Sequence, residues 1–92
     1  AAPTPMENNW ARLRQILVGA GWEWREDALY SPHDTMWFSP SSNPNHASFR
    51  DAMSEAMQAA ETDAISGDGF QVALHADLVS LVGALDALLD GN

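Results

Sequence analysis

The sequence predicts an α+β fold: a small two-layer sandwich in the order α-β-β-(β)-α-β-α, with helices packed on one face of a short antiparallel or mixed sheet. Three observations predict it. Two segments, near residues 10–20 and 46–62, place apolar residues at helical spacing. Residues 21–40 between them are rich in bulky β-favouring side chains interrupted by turn residues. The last segment opens with period two and continues with leucines spaced by four and three. At 92 residues the chain has room for one hydrophobic core. Residues 7–92 read as a single domain and residues 1–6 as a loose tail or an appended remnant, with Met6 resembling a natural start.

The first helix is expected from Trp10 to Ala20. Asn8 or Asn9 would cap it, Glu7 would favour its positive end, and Gly21 would stop it. Trp10, Leu13, Leu17 and Ala20 form its apolar stripe, with Arg12 and Arg14 off that stripe. The alternation Trp22-Glu23-Trp24-Arg25 predicts a half-buried strand, and Glu26-Asp27 a turn. Leu29–Ser31 would be a second strand, Pro32-His33-Asp34 a turn, and Thr35–Ser39 a third strand. The run from Ser39 to Asn45, with two prolines, reads as a loop.

A second long helix is expected from His46 to Thr62, capped by Asn45. Phe49, Met53, Ala56, Met57 and Ala60 would face inward, and Asp51, Glu55, Gln58 and Glu61 outward. Ser66-Gly67-Asp68-Gly69 is a turn. Phe70, Val72 and Leu74 then alternate with Gln71, Ala73 and His75, which predicts a strand over 70–74. From Leu74 the leucines at 78, 81, 85 and 88 predict a helix over 76–89, with Asp77 in its first turn.

Charge and composition narrow the function classes. Thirteen acids against four arginines and no lysine give a net charge of −9. That disfavours nucleic-acid phosphate and anionic membrane surfaces as partners. No apolar run is expected to span a bilayer. The absence of cysteine excludes disulfides, a thiol nucleophile and zinc–thiolate sites, and leaves the cytoplasm as the default compartment. His33, His46 and His75 have no helical spacing to one another, so no metal site is expected. Ser66–Gly69 lacks a phosphate-loop lysine, and the serines lack a nucleophile elbow. No cofactor is implied.

What remains is aromatic richness and acidity. Trp22 and Trp24 share parity and hence one strand face, while Arg25 and Glu23 take the other. The leading expectation is a non-enzymatic acidic domain that binds another protein, a basic partner that it neutralises or inhibits. Asp51, Glu55 and Glu61 would supply its acidic face and the tryptophans its anchors. A nucleic-acid-mimicking inhibitor is the extreme form of that reading. The alternative is a small-ligand or accessory-subunit domain whose aromatic pocket uses Trp22, Trp24, Tyr30 and Trp37, with Arg25 for an anionic group. An enzyme using His33 or His46 with Asp34 ranks last. A homodimer through the helix over 76–89 is a further expectation, since Gly83 and Ala84 permit close helix approach.

Overall fold

In the computed structural model, which describes residues 5–39 and 45–90, helix α1 (Pro5–Gly19) leads into three short strands, β1 (Glu23–Arg25), β2 (Ala28–Tyr30) and β3 (Trp37–Phe38). Helices α2 (His46–Ala64) and α3 (Gly69–Asp90) follow. The strands form an antiparallel meander in the order β1-β2-β3. The fold is therefore a small α+β arrangement, and its element order is α-β-β-β-α-α.

Helix α1 starts at Pro5, so Asn8 and Asn9 lie inside it and do not cap it. Proline is suited to a helix's first turn, where its missing N–H has no intrahelical acceptor to reach. The C-terminus follows the expectation closely. Gly21 adopts φ +104°, the left-handed conformation that glycine alone reaches at little cost. The Trp22 amide then donates to the Leu17 carbonyl at 2.9 Å and the Gly21 amide to the Val18 carbonyl at 3.1 Å. This pair of bonds is a Schellman motif, and its usual apolar contact is supplied here by Trp22 and Leu17, both in the core. One glycine thus turns the chain and aims Trp22 inward.

Helix α2 is capped as the sequence predicts: the Asn45 side chain accepts from the Ser48 amide at 2.9 Å. Most of the loop expected over 39–45 falls outside the described residues. The strand expected over 70–74 is a helix instead. Asp68 Oδ1 accepts from the amides of Phe70 at 2.9 Å and Gln71 at 3.3 Å, which starts α3 at Gly69. Five residues of alternation give way to a helix already capped at Asp68. His75 accordingly sits inside α3, not at a strand end, and Asp77 is buried at mid-helix, not in the first turn.

The core lies where α1 and α3 meet the inner face of the sheet. Leu13 and Leu17 from α1, Leu29 and Phe38 from the strands, and Leu81, Ala84, Leu85 and Leu88 from α3 close around Trp22. Burying each such leucine contributes about 1.5–3 kcal/mol. Leu81, Leu85 and Leu88 of α3 face this intramolecular core, and Val72, Val79 and Gly83 form part of the helix's exposed side. At 22 residues α3 is also long and apolar enough to cross a membrane by length and composition, which corrects the expectation that no stretch is. Seven of its residues are buried inside the protein. Beyond the core the α2–α3 hairpin leaves Ile65, Phe70 and Val72 exposed, and the molecule is 51 Å in its longest dimension.

Candidate functional site

Strand register sorts the aromatics into two populations. Trp24 pairs with Leu29, and Leu29 with Phe38, so these three share the inner face. Glu23 pairs with Tyr30, and Tyr30 with Trp37, so this row crosses the outer face. The Tyr30 and Trp37 rings stack with centroids 6.2 Å apart and planes 29° from parallel. The Arg25 guanidinium lies 4.4 Å from the Tyr30 ring centroid. It also donates to Glu23 Oε2 at 3.0 Å and approaches Asp34 Oδ1 at 4.0 Å. The hydrogen bond and charge of Arg25 hold the Glu23 carboxyl below the usual carboxylate range. The result is a ladder of guanidinium, phenol and indole, ending in a Trp37 that is 62% exposed.

A second cluster fastens the β2–β3 turn to α3. Asp77 is only 1% exposed, yet it is a carboxylate. His33 Nδ1 lies 2.7 Å from Asp77 Oδ1, the His33 amide donates to Oδ2 at 3.3 Å, and the Thr35 hydroxyl donates to Oδ2 at 2.7 Å. Ser31 Oγ accepts from the amides of Thr35 and Met36 and lies 3.3 Å from the Thr35 hydroxyl. Thr35 uses its one hydroxyl proton on Asp77, so Ser31 is the donor to Thr35. Burial alone would raise the Asp77 pKa. The hydrogen bonds from the His33 ring, the Thr35 hydroxyl and the His33 amide outweigh it and hold the group below the ordinary carboxylate value.

An ionised Asp77 can only accept, so His33 Nδ1 donates to it, from a side chain that is 56% exposed. That is the geometry of an oriented base. The neighbouring hydroxyls of Ser31 and Thr35, however, are bound on the Asp77 side of the pair. The cluster is built to hold the turn. His33 thus pairs with Asp77 and not with Asp34, whose nearest cation is Arg25.

The remaining sequence candidates scatter. Trp22 is buried, stands edge-on to Phe38 at 6.0 Å and donates its indole N–H to Ser80 Oγ at 3.2 Å, so it belongs to the core. Trp24 is 37% exposed beside α1, separate from Tyr30 and Trp37 on the outer face. One pocket shared by Trp22, Trp24, Tyr30 and Trp37 with Arg25 is therefore not formed. Asp51, Glu55 and Glu61 are exposed on α2, with Arg50 bridging Asp51 at 3.4 Å and Asp86 at 3.5 Å. His46 packs inward against the Trp10 ring at 4.1 Å between centroids, and its Nε2 has no hydrogen-bond partner. Among the described residues no three histidine or carboxylate side chains converge as a metal site.

The chain matches no known protein family, no curated protein and no solved structure.

Burial lowers the pKa of His46 because the charged imidazolium loses hydration. A folded-state pKa below the unfolded one gives stability that is present above the unfolded value, about 6.5, and lost as pH falls from there toward the folded value. We expect chemical denaturation midpoints to decline as pH drops below about 6.5, and His46→Phe to flatten that decline while keeping a ring against Trp10. An unchanged pH profile in this variant would assign the decline to other groups.

Sequence reasoning missed three residues. Asp77 looked like an ordinary helix-start charge. Trp10 and Arg14 are four apart on α1 and line a cleft with Ala11 and Trp24. Their i, i+4 spacing was the signal for it.

Proposed function

We propose that this chain is a non-enzymatic protein-interaction domain that docks through the outer face of its sheet, with Trp37 as the anchor. The observation that carries this reading is the exposed stack of Arg25, Tyr30 and Trp37. These are the three residue types most enriched among binding hot spots. Two neighbours fix Tyr30, the central ring, so less side-chain freedom is lost on docking. Glu23 and Asp34 flank the ladder, Asp51, Glu55 and Glu61 lie on α2, and the whole chain carries −9. Such a field accelerates the approach of a basic partner and is weakened by salt. The partner that fits is a basic protein with an apolar depression that accepts an indole.

Affinity capture from the source lysate tests this with three baits: the wild type, Trp37→Ala, and the triple variant Asp51→Asn, Glu55→Gln, Glu61→Gln. The expected result is a basic protein held by the wild type and lost with Trp37→Ala, a loss of about 30-fold in affinity or more. The triple variant is expected to retain less of it at low salt. An identical set of proteins on the wild type and Trp37→Ala would remove the ladder as the contact surface.

A further inference from the structure

We infer that the cleft between α1 and β1 binds a small planar monocarboxylate, with Arg14 as the anion contact and the Trp10 and Trp24 indoles as walls. The cleft is lined by Trp10, Ala11, Arg14 and Trp24, is open to solvent and has a volume of about 190 Å³. A cavity of about 150 Å³ accommodates one benzene ring, so this volume suits a single ring bearing a carboxylate.

Arg14 is what gives the cleft its chemistry. In a chain with thirteen acids, arginines are expected to end on carboxylates, as Arg25 and Arg50 do. Arg25 pairs with Glu23 and Asp34, and Arg50 with Asp51 and Asp86. The Arg14 guanidinium instead lies 4.9 Å from the Trp24 ring centroid, with no ion pair among the described residues. Stacking occupies the face of a guanidinium and leaves its edge, with the N–H donors in a fork that matches a carboxylate. The ring beneath it removes water from one side and strengthens a bond made at that edge.

The walls are held in place before any ligand arrives. The Trp24 backbone is held by its pairing with Leu29 on β2, and its ring carries the Arg14 guanidinium. Trp10 is packed against His46 at 4.1 Å and against Phe49 at 6.0 Å between ring centroids. The net charge of −9 then selects among anions. A phosphate or dicarboxylate meets roughly twice the repulsion of a monocarboxylate, with one arginine to offset it. A single negative charge on a flat apolar body is the chemistry that fits.

This site is separate from the outer sheet face, so either can fail without the other. Benzoate serves as the probe and benzamide as its neutral counterpart of the same shape. The readout is the indole N–H signals of Trp10 and Trp24 in two-dimensional NMR, assigned with Trp10→Phe and Trp24→Phe. We expect benzoate to shift both signals saturably with Kd near ~1 mM, and benzamide to bind about tenfold more weakly or not at all. Arg14 is exposed, so Arg14→Gln should fold normally and lose about tenfold in benzoate affinity. Signals unmoved by benzoate, or moved equally by benzamide, overturn the inference. If Arg14→Gln does not fold, the comparison of the two probes on the wild type decides it alone.

Discussion

Replacing Asp77 with alanine is expected to destabilise the protein by about 3 kcal/mol, read as a lower urea midpoint at neutral pH with an unchanged slope. The carboxylate receives three donors within 3.3 Å: the His33 ring, the His33 amide and the Thr35 hydroxyl. Hydrogen bonds to a charged acceptor are each worth about 1.5–3 kcal/mol, and their sum is reduced in two ways. Removing the carboxylate also removes the cost of having buried it. The His33 ring, being 56% exposed, regains water when released. The Thr35 hydroxyl and the His33 amide have fewer ways to recover. His33→Ala should therefore cost much less, about 1 kcal/mol, because its partner keeps two other donors. Near-equal losses for Asp77→Ala and His33→Ala would mean that the histidine bond carries the cluster.

The same cluster sets an acid limit. Its hydrogen bonds lower the folded-state pKa of Asp77 below the unfolded value, net of the opposing effect of burial. Its contribution is therefore present above about pH 3.9 and lost as pH falls through the lower folded-state value. Acid unfolding should accordingly have a component below about pH 4 that Asp77→Asn abolishes, distinct from the His46 component that begins near neutrality.

How much of this was legible in the sequence depended on the distance over which each interaction acts. Gly21 as a helix stop, Asn45 as a cap and Glu26-Asp27 as a hairpin turn are local devices, and each works where its spacing says. Strand parity correctly put Trp22 and Trp24 on one side and Arg25 with Glu23 on the other. Parity carries no information about depth: Trp22 reaches the centre of the core, while Trp24 stays at its margin beside Arg14. Asp77 was illegible for a different reason, since its partners His33 and Thr35 are 44 and 42 residues away. A buried carboxylate on a leucine-rich helix looks the same in sequence as an exposed one. The strand expected over 70–74 failed because five alternating residues fit either period, and the Asp68 cap, two residues upstream, favours the helix.

Trp22 and Trp37 turn the distinction between core and surface into a measurement. Trp22→Ala is expected to cost about 3–5 kcal/mol, a large share of the ~5–15 kcal/mol that holds a typical domain together. Its side chain is 2% exposed, meets Phe38 edge-on and donates to Ser80 on α3. A buried tryptophan removes ~150–250 Å² from water, about 4–6 kcal/mol at ~25 cal/mol per Å² as an upper bound. Truncation leaves a cavity between α1, α3 and the sheet, and it deprives the Schellman turn at Gly21 of its apolar contact with Leu17. Trp37→Ala removes a ring that is 62% exposed and packs on one face of Tyr30, so about 0.5 kcal/mol is expected. Equilibrium urea unfolding of the two variants should therefore separate them by several kcal/mol. That separation also makes Trp37→Ala a fair test of binding, because its bait remains folded. If Trp37→Ala cost as much as Trp22→Ala, the outer face would be part of the fold's support, and a lost partner could no longer be ascribed to a lost contact.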